Sequence, residues 1–170
     1  QNVKGMNHMF ADCSSLTSID LSNFNTSNVT DMSYMFSGCG HLAVIDLSSF
    51  RSEKVESMFH MFDGCEGLNW LDLSNFSTEN VTTMYYMFFK CMELTSLNVS
   101  NFETYNVTNM YQMFDQCNSL KSLDISGFNT CNVTDMRNMF ENCYNLEFLE
   151  IDNFDISQLT KVEEMLKNCR

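Results

Sequence analysis

The sequence predicts an α/β repeat solenoid, a coil in which every winding contributes a short strand and a short helix. Two observations lead to this fold class. Several residue types recur at a fixed step of 26 along all 170 residues, and two hydrophobic periods alternate within each repeat. The recurring cysteines are Cys13, Cys39, Cys65, Cys91, Cys117, Cys143 and Cys169. Columns of methionine and phenylalanine follow the same step, so we expect successive windings to superimpose.

The strand of each winding is indicated by strict alternation. Ile45 and Leu47 flank Asp46, which is typical of a half-buried strand. Strands at the same place in successive windings then lie side by side in a parallel sheet on the concave face of the coil. Residues between the inward-pointing ones are expected to point outward in columns.

The helix of each winding is predicted from a second spacing. Val55, Met58, Met61 and Phe62 lie at i, i+3, i+6 and i+7, which is one face of a helix on the convex side. Asparagine precedes this segment as a candidate N-cap at Asn28, Asn80, Asn106 and Asn132. The residue before each cysteine is Gly38, Gly64, Lys90, Gln116, Asn142 or Asn168, and the glycines and asparagines among them suit a left-handed C-cap.

The repeats fill the chain as a single solenoid domain over residues 1–170, about six and a half windings. Because the chain starts and ends inside a winding, we expect it to be a piece of a longer protein.

Charge and composition exclude several function classes. Nine Lys and Arg stand against 22 Asp and Glu, a net charge of −13, which argues against nucleic acid or an anionic membrane as the main partner. No apolar run approaches the ~20 residues of a membrane span. The three histidines lie at no nucleophile, metal or phosphate-loop motif, and the carboxylates share one setting. We therefore expect no enzyme activity, no cofactor and no metal site.

Two outward columns on the concave face form the predicted partner-binding site. One column varies where the others repeat, and Trp70, the only tryptophan, is expected to anchor a contact. Its members are Ser18, Val44, Trp70, Ser96, Ser122 and Phe148. The other column is acidic, with Asp20, Asp46, Asp72, Asp124 and Glu150, and with Asn98 in the same register.

Stacked carboxylates repel one another, so other interactions must offset the repulsion within the acidic column. Serines two residues further on are expected to donate hydrogen bonds to it. A bridging Ca²⁺ is an alternative, because hard cations prefer carboxylate oxygens. A third possibility is a strip satisfied by hydroxyls and water alone.

A second candidate surface is an aromatic strip on the convex side, made of Tyr34, Phe59, His60, Tyr85, Tyr86, Phe89 and Tyr111. So many outward aromatics indicate either an interaction surface or a shield over the methionine core.

The repeat resembles the 26-residue repeat of the bacterial surface protein family, a BspA-like relative of leucine-rich repeats. The resemblance rests on Leu16-Thr17-Ser18-Ile19-Asp20-Leu21-Ser22-Asn23-Phe24-Asn25-Thr26, on Met35-Phe36 and on Cys39, and it covers essentially the whole chain. It implies a right-handed leucine-rich-repeat coil in a protein of the cell surface, secreted or lipid-anchored, with an adhesive or unassigned role and no catalysis.

Together these features predict a non-enzymatic, extracellular binding or adhesion module that acts as a monomer. Its expected partner is a protein or extracellular-matrix ligand with a basic surface. The alternative is a passive spacer in a longer surface array, without a ligand of its own.

Overall fold

The computed structural model describes residues 2–169, and over this range the chain winds into a coil whose neighbouring windings pair in parallel. Parallel bridges join residues 26 apart along the coil: Gly5 with Asp31, Asp31 with Ser57, Ser57 with Thr83, Thr83 with Asn109, Asn109 with Asp135, and Asp135 with Lys161. Residues one repeat apart are therefore spatial neighbours, and the predicted stacking of windings is confirmed.

Four short strands form two two-stranded sheets: β1 at Trp70–Asp72, β2 at Ser96–Asn98, β3 at Ser122–Leu123 and β4 at Phe148–Leu149. β1 pairs with β2 and β3 pairs with β4, both in parallel. A tight turn precedes β1 and another follows it. The amide of Leu68 closes the first by donating to the carbonyl oxygen of Cys65, and the amide of Phe76 closes the second by donating to that of Leu73. Only two or three residues per winding are left to pair, so regular pairing is less extensive than the continuous sheet that the sequence predicts.

The predicted convex helices are wrong, since residues 2–169 contain no helix. In the segment predicted to be helical, every second backbone amide donates its hydrogen bond to the next winding. The amides of Tyr34 and Phe36 donate to the carbonyl oxygens of Phe59 and Met61 in the next winding, at 3.1 and 2.9 Å. The amide of Met35 between them closes a turn three residues back, at 3.2 Å. Alternate amides thus tie the windings together, whereas a helix would keep all of them within one winding.

Two residues per winding adopt a left-handed backbone, which no continuous helix tolerates. One column comprises His8, Tyr34, His60, Tyr86, Gln112, Asn138 and Glu164, and the other Asp12, Gly38, Gly64, Lys90, Gln116, Asn142 and Asn168. The second column confirms the left-handed position predicted before each cysteine. The chain of turns between the two columns still directs Met and Phe inward, so it satisfies the same apolar spacing as a helix.

The predicted asparagine N-caps are also wrong, because there is no helix for them to cap. The Nδ2 atoms of Asn80, Asn106 and Asn132 donate instead to backbone carbonyl oxygens of the preceding winding, each at 2.8 Å. The side chain at this position joins windings and does not end a helix.

A glycine placed at Lys90 distinguishes the turn structure from a helix. Lys90 has φ 58°, and a left-handed backbone costs an ordinary residue roughly 1–2 kcal/mol. Glycine removes that cost but loses roughly 0.5–1 kcal/mol of chain entropy. We expect Lys90→Gly to leave the free energy of unfolding unchanged or to raise it by up to about 1 kcal/mol, measured by urea denaturation.

The matched control is Gly38→Ala, in the same column. At φ 74° the new Cβ would lie 2.6 Å from Oδ1 of Asp12, so this variant should lose stability. A loss of about 1 kcal/mol in Lys90→Gly, the usual cost of glycine inside a helix, would contradict the turn structure.

The interior is built from ladders of identical side chains. Phe36, Phe62, Phe88, Phe114 and Phe140 are fully buried and stack with ring centroids 5.4–5.8 Å apart. Methionines such as Met58 and Met61 are fully buried beside them. The core therefore runs as a continuous column along the coil, and each winding packs only on its neighbours.

A buried hydroxyl column ties each winding to the next, with Thr26, Ser52, Thr78, Thr104 and Thr130 as its members. Oγ1 of Thr78 donates to the carbonyl oxygen of Glu103 at 3.0 Å and accepts from the amide of the same residue at 2.7 Å. One hydroxyl thus satisfies both polar groups of a residue in the next winding, which explains why Thr or Ser stands at all five of these positions. Ile156 occupies the same column in the last winding and is exposed.

The cysteine column is buried between Cys39 and Cys143. Each thiol also donates to a phenylalanine carbonyl oxygen of the preceding winding; for Cys65 the acceptor is Phe36, at 3.2 Å. Burial raises the pKa of Cys39 to about 11 and that of Cys143 to about 12. These thiols are structural donors and are poor nucleophiles at neutral pH.

Candidate functional site

The side of the coil that carries the strands presents both predicted columns to solvent. The sequence predicts this side to be concave, and we call it the concave face. The structure places Ser18, Val44, Trp70, Ser96, Ser122 and Phe148 on the outward side, together with Asp20, Asp46, Asp72, Asn98, Asp124 and Glu150. Trp70 is 49 % exposed and Phe148 is 65 % exposed. Alternation in β1 explains this orientation, because Leu71 points into the core and its two neighbours point out.

The serines predicted to offset the acidic column do so. The carboxylates of Asp20, Asp46, Asp72 and Asp124 each accept the backbone amide of the serine two residues further on, at 2.9–3.1 Å. These hydrogen bonds lower the pKa of each of the four aspartates. The backbone amide contributes most for Asp46 and Asp72, and the serine hydroxyl for Asp20 and Asp124. These four aspartates therefore stay ionised at neutral pH and keep their negative charge.

Two hollows on this face combine an exposed aromatic ring with a pair of carboxylates. The first, of about 170 Å³, is lined by Trp70, Asp46 and Asp72. The second, of about 360 Å³, is lined by Phe148, with Asp124 and Glu150 beside it. Carboxylates and aromatic faces both attract ammonium and guanidinium groups. Each hollow is thus suited to one cationic side chain.

The spacing of the hollows follows from the repeat. Trp70 and Phe148 occupy the same column three windings apart, which at ~4.8 Å per strand is about 14 Å. Ser96 and Ser122 lie between them, so no large side chain projects from the surface between the two hollows. A ligand that filled both hollows would have to be extended along the coil.

The aromatic strip on the convex side is half-buried and packs on itself. Tyr34, His60 and Tyr86 stack in register with His8, with ring centroids 4.4–4.5 Å apart. Nδ1 of His60 also lies 2.7 Å from a carboxylate oxygen of Asp63. Because the rings cover one another's faces, this arrangement favours the shielding interpretation over the interaction surface.

The Asp115 carboxyl group lies on the convex side, away from the hollows. Burial raises its pKa, and Gln112 and Asn142 donate to it at 2.6 and 3.1 Å. Both partners are amides, and no nucleophile is among these contacts. Within residues 2–169 no group of three or more His, Cys, Asp and Glu is placed to hold a metal ion. The same residues form no helix long and apolar enough to cross a membrane.

Sequence reasoning missed one polar column at the end of the strands. Ser49, Asn75, Asn101 and Asn153 donate from their side chains to backbone carbonyl oxygens of the preceding winding. Gly127 occupies the same column and has no side chain with which to donate. The signal was present in the repeat, as a single glycine in a column otherwise filled by hydrogen-bond donors.

A family model supplies the relationship of the chain to known proteins. The family described as "Mycoplasma protein of unknown function, DUF285" matches residues 1–95 and 64–170. The chain belongs to this family. The narrower resemblance to the BspA-like surface repeat stays a prediction.

Among solved structures, a leucine-rich repeat protein from Bacteroides ovatus is similar to the chain at 19 % identity and a TM-score of 0.44. The alignment covers 91 % of this chain and 44 % of that protein, so the chain spans less than half of its length. No curated protein matches the chain. Because the description of the DUF285 family names no activity, its function has to be argued from the concave face.

Proposed function

We propose that the chain is a non-enzymatic binding module whose concave face holds a basic segment of a partner protein. The observation that carries the proposal is the pair of hollows, in which Trp70 and Phe148 each stand beside two acidic side chains. Exposed aromatic rings beside fixed charges are the usual anchors of protein interfaces.

Electrostatics favour a partner rich in lysine and arginine. The net charge of −13 attracts cations from a distance and raises the rate of encounter. At close range, serine hydrogen bonds hold the Asp46 and Asp72 carboxylates in place. A cationic side chain between them would form charge-assisted hydrogen bonds and lie over the Trp70 ring.

A protein segment suits the face better than a small molecule does. The hollows are shallow and lie about 14 Å apart, which an extended chain covers in about four residues. The proposal includes a cell-surface or extracellular site of action, in which a monomeric coil adheres to matrix or host proteins through this face.

The test compares Trp70→Ala with Tyr105→Ala. Tyr105 is 59 % exposed and lies outside the two concave columns, so it controls for the loss of an exposed ring. The probe is an extended peptide with two lysines four residues apart, measured by surface plasmon resonance against the intact protein. We expect Trp70→Ala to weaken binding by about tenfold or more, since an anchor residue contributes over 1 kcal/mol, and Tyr105→Ala to leave it unchanged.

The charge is tested separately with Asp72→Asn, which keeps the shape of the side chain. We expect this variant to bind the peptide more weakly than the unmodified protein does. The difference in Kd should shrink as salt is added, because screening weakens the attraction. If Trp70→Ala binds the peptide as well as the unmodified protein does, the concave site is wrong. The spacer interpretation then takes its place.

A further inference from the structure

Gly127 interrupts the polar column that joins windings beyond the carboxyl ends of the strands. In two other windings the asparagine amide at this position bridges a pair of carbonyl oxygens. The Nδ2 atom of Asn153 donates to Ser126 at 3.0 Å and to Phe128 at 3.1 Å. The Nδ2 atom of Asn75 donates to Leu47 and Phe50 at 3.1 and 3.2 Å. In these two windings the position thus holds an NH₂ group between carbonyl oxygens.

At Gly127 the equivalent oxygens have no such donor. They belong to Ser100 and Phe102, which stand 27 and 25 residues before Gly127, as Ser126 and Phe128 stand before Asn153. Among residues 2–169 neither oxygen accepts a hydrogen bond. A Cβ on Gly127 would lie 3.5 Å from the oxygen of Ser100 and 3.9 Å from that of Phe102, at ordinary contact distances. The glycine therefore leaves a slot with the size and polarity of one amide group.

The slot opens into a cavity of about 470 Å³ that Glu103 also lines. The two carbonyl oxygens of the slot are acceptors. The cavity beyond them is lined by Glu103 and by Ser74, Asn75, Ser77 and Asn101, so its wall offers both acceptors and donors. The amides that occupy the equivalent positions sit 3.0–3.2 Å from their oxygens, as N–H donors do.

We propose that the Gly127 slot binds a primary ammonium group, such as the end of a lysine side chain. The ammonium has three donors and no acceptor. It donates to the carbonyl oxygens of Ser100 and Phe102 and to the carboxylate of Glu103. The cavity at the slot shares Ser74 and Asn75 with the Trp70 hollow, but Gly127, Ser100, Phe102 and Glu103 line neither of the two hollows.

The experiment is an NMR titration of the intact protein with n-butylammonium chloride at constant ionic strength. We expect saturable shifts of the backbone amides of residues 100–103 and 127, with a Kd in roughly the millimolar range for so small a ligand. The decisive variant is Gly127→Asn, which restores the side chain of the neighbouring windings. It should abolish saturable binding, and its melting temperature should rise by about 2–4 °C from the added hydrogen bonds.

Two further arms test the chemistry of the slot. Neutral n-butanol should bind at least tenfold more weakly than n-butylammonium, and Glu103→Gln should weaken the ammonium several-fold. Trp70→Ala should leave the titration unchanged, so failure of the concave site and failure of the slot are told apart. Saturable shifts that persist in Gly127→Asn, or that CaCl₂ reproduces at equal concentration, would overturn the proposal.

Discussion

Replacing Phe88 with alanine is expected to lower the free energy of unfolding by about 3–5 kcal/mol. Phe88 is fully buried and stacks between Phe62 and Phe114, with ring centroids at 5.8 and 5.4 Å. Alanine leaves a cavity in the middle of the ring column, and the windings on either side are held in place by their own pairing. Urea denaturation followed by circular dichroism measures the change.

The control is Phe148→Ala, which removes the same side chain from the concave face. Phe148 is 65 % exposed, so its loss should change the unfolding free energy by no more than about 0.5 kcal/mol. Equal effects of the two substitutions would mean that the ring column does not form the core of the coil.

Replacing Thr78 with valine is expected to cost about 2–4 kcal/mol. The shape of the side chain is retained, but the amide and the carbonyl group of Glu103 both lose the hydroxyl that satisfies them. Each buried group left without a partner costs about 1–3 kcal/mol. The measurement is urea denaturation together with hydrogen exchange of the Glu103 amide, whose protection should fall.

Thr78→Ser is the matched variant, because Ser52 fills the same column with the same pair of bonds. It should cost about 0.8 kcal/mol for the lost methyl group and keep the Glu103 amide protected. If valine and serine were equally stable at this position, the hydroxyl column would have no role in joining windings.

The step of 26 made the stacking of the coil predictable, because a fixed repeat puts Cys65 next to Cys91 whatever the local structure is. Alternation around Asp46 and Asp72 likewise predicted which residues face out. The turn structure that replaces the predicted helices could not be predicted. The spacing of Met58, Met61 and Phe62 indicates which side chains point inward. It does not indicate whether the backbone amides bond within one winding or to the next, because both arrangements have the same apolar pattern.

The candidate site was predictable in part for a similar reason. The outward position of Trp70 follows from its own strand. The slot at Gly127 depends on the carbonyl oxygens of Ser100 and Phe102, which another winding supplies. Only a comparison of the whole polar column, with the hydrogen bonds that its members make, reveals that one donor is missing.

The buried thiols give the protein a set of internal reporters of local opening. Alkylating reagents attack a thiolate that is open to solvent, and burial raises the pKa of Cys65 and Cys117 well above the ordinary value. Reaction at either position therefore requires its winding to separate from the neighbours. Rates of alkylation, read one cysteine at a time, would map how readily each part of the coil comes apart in the native state.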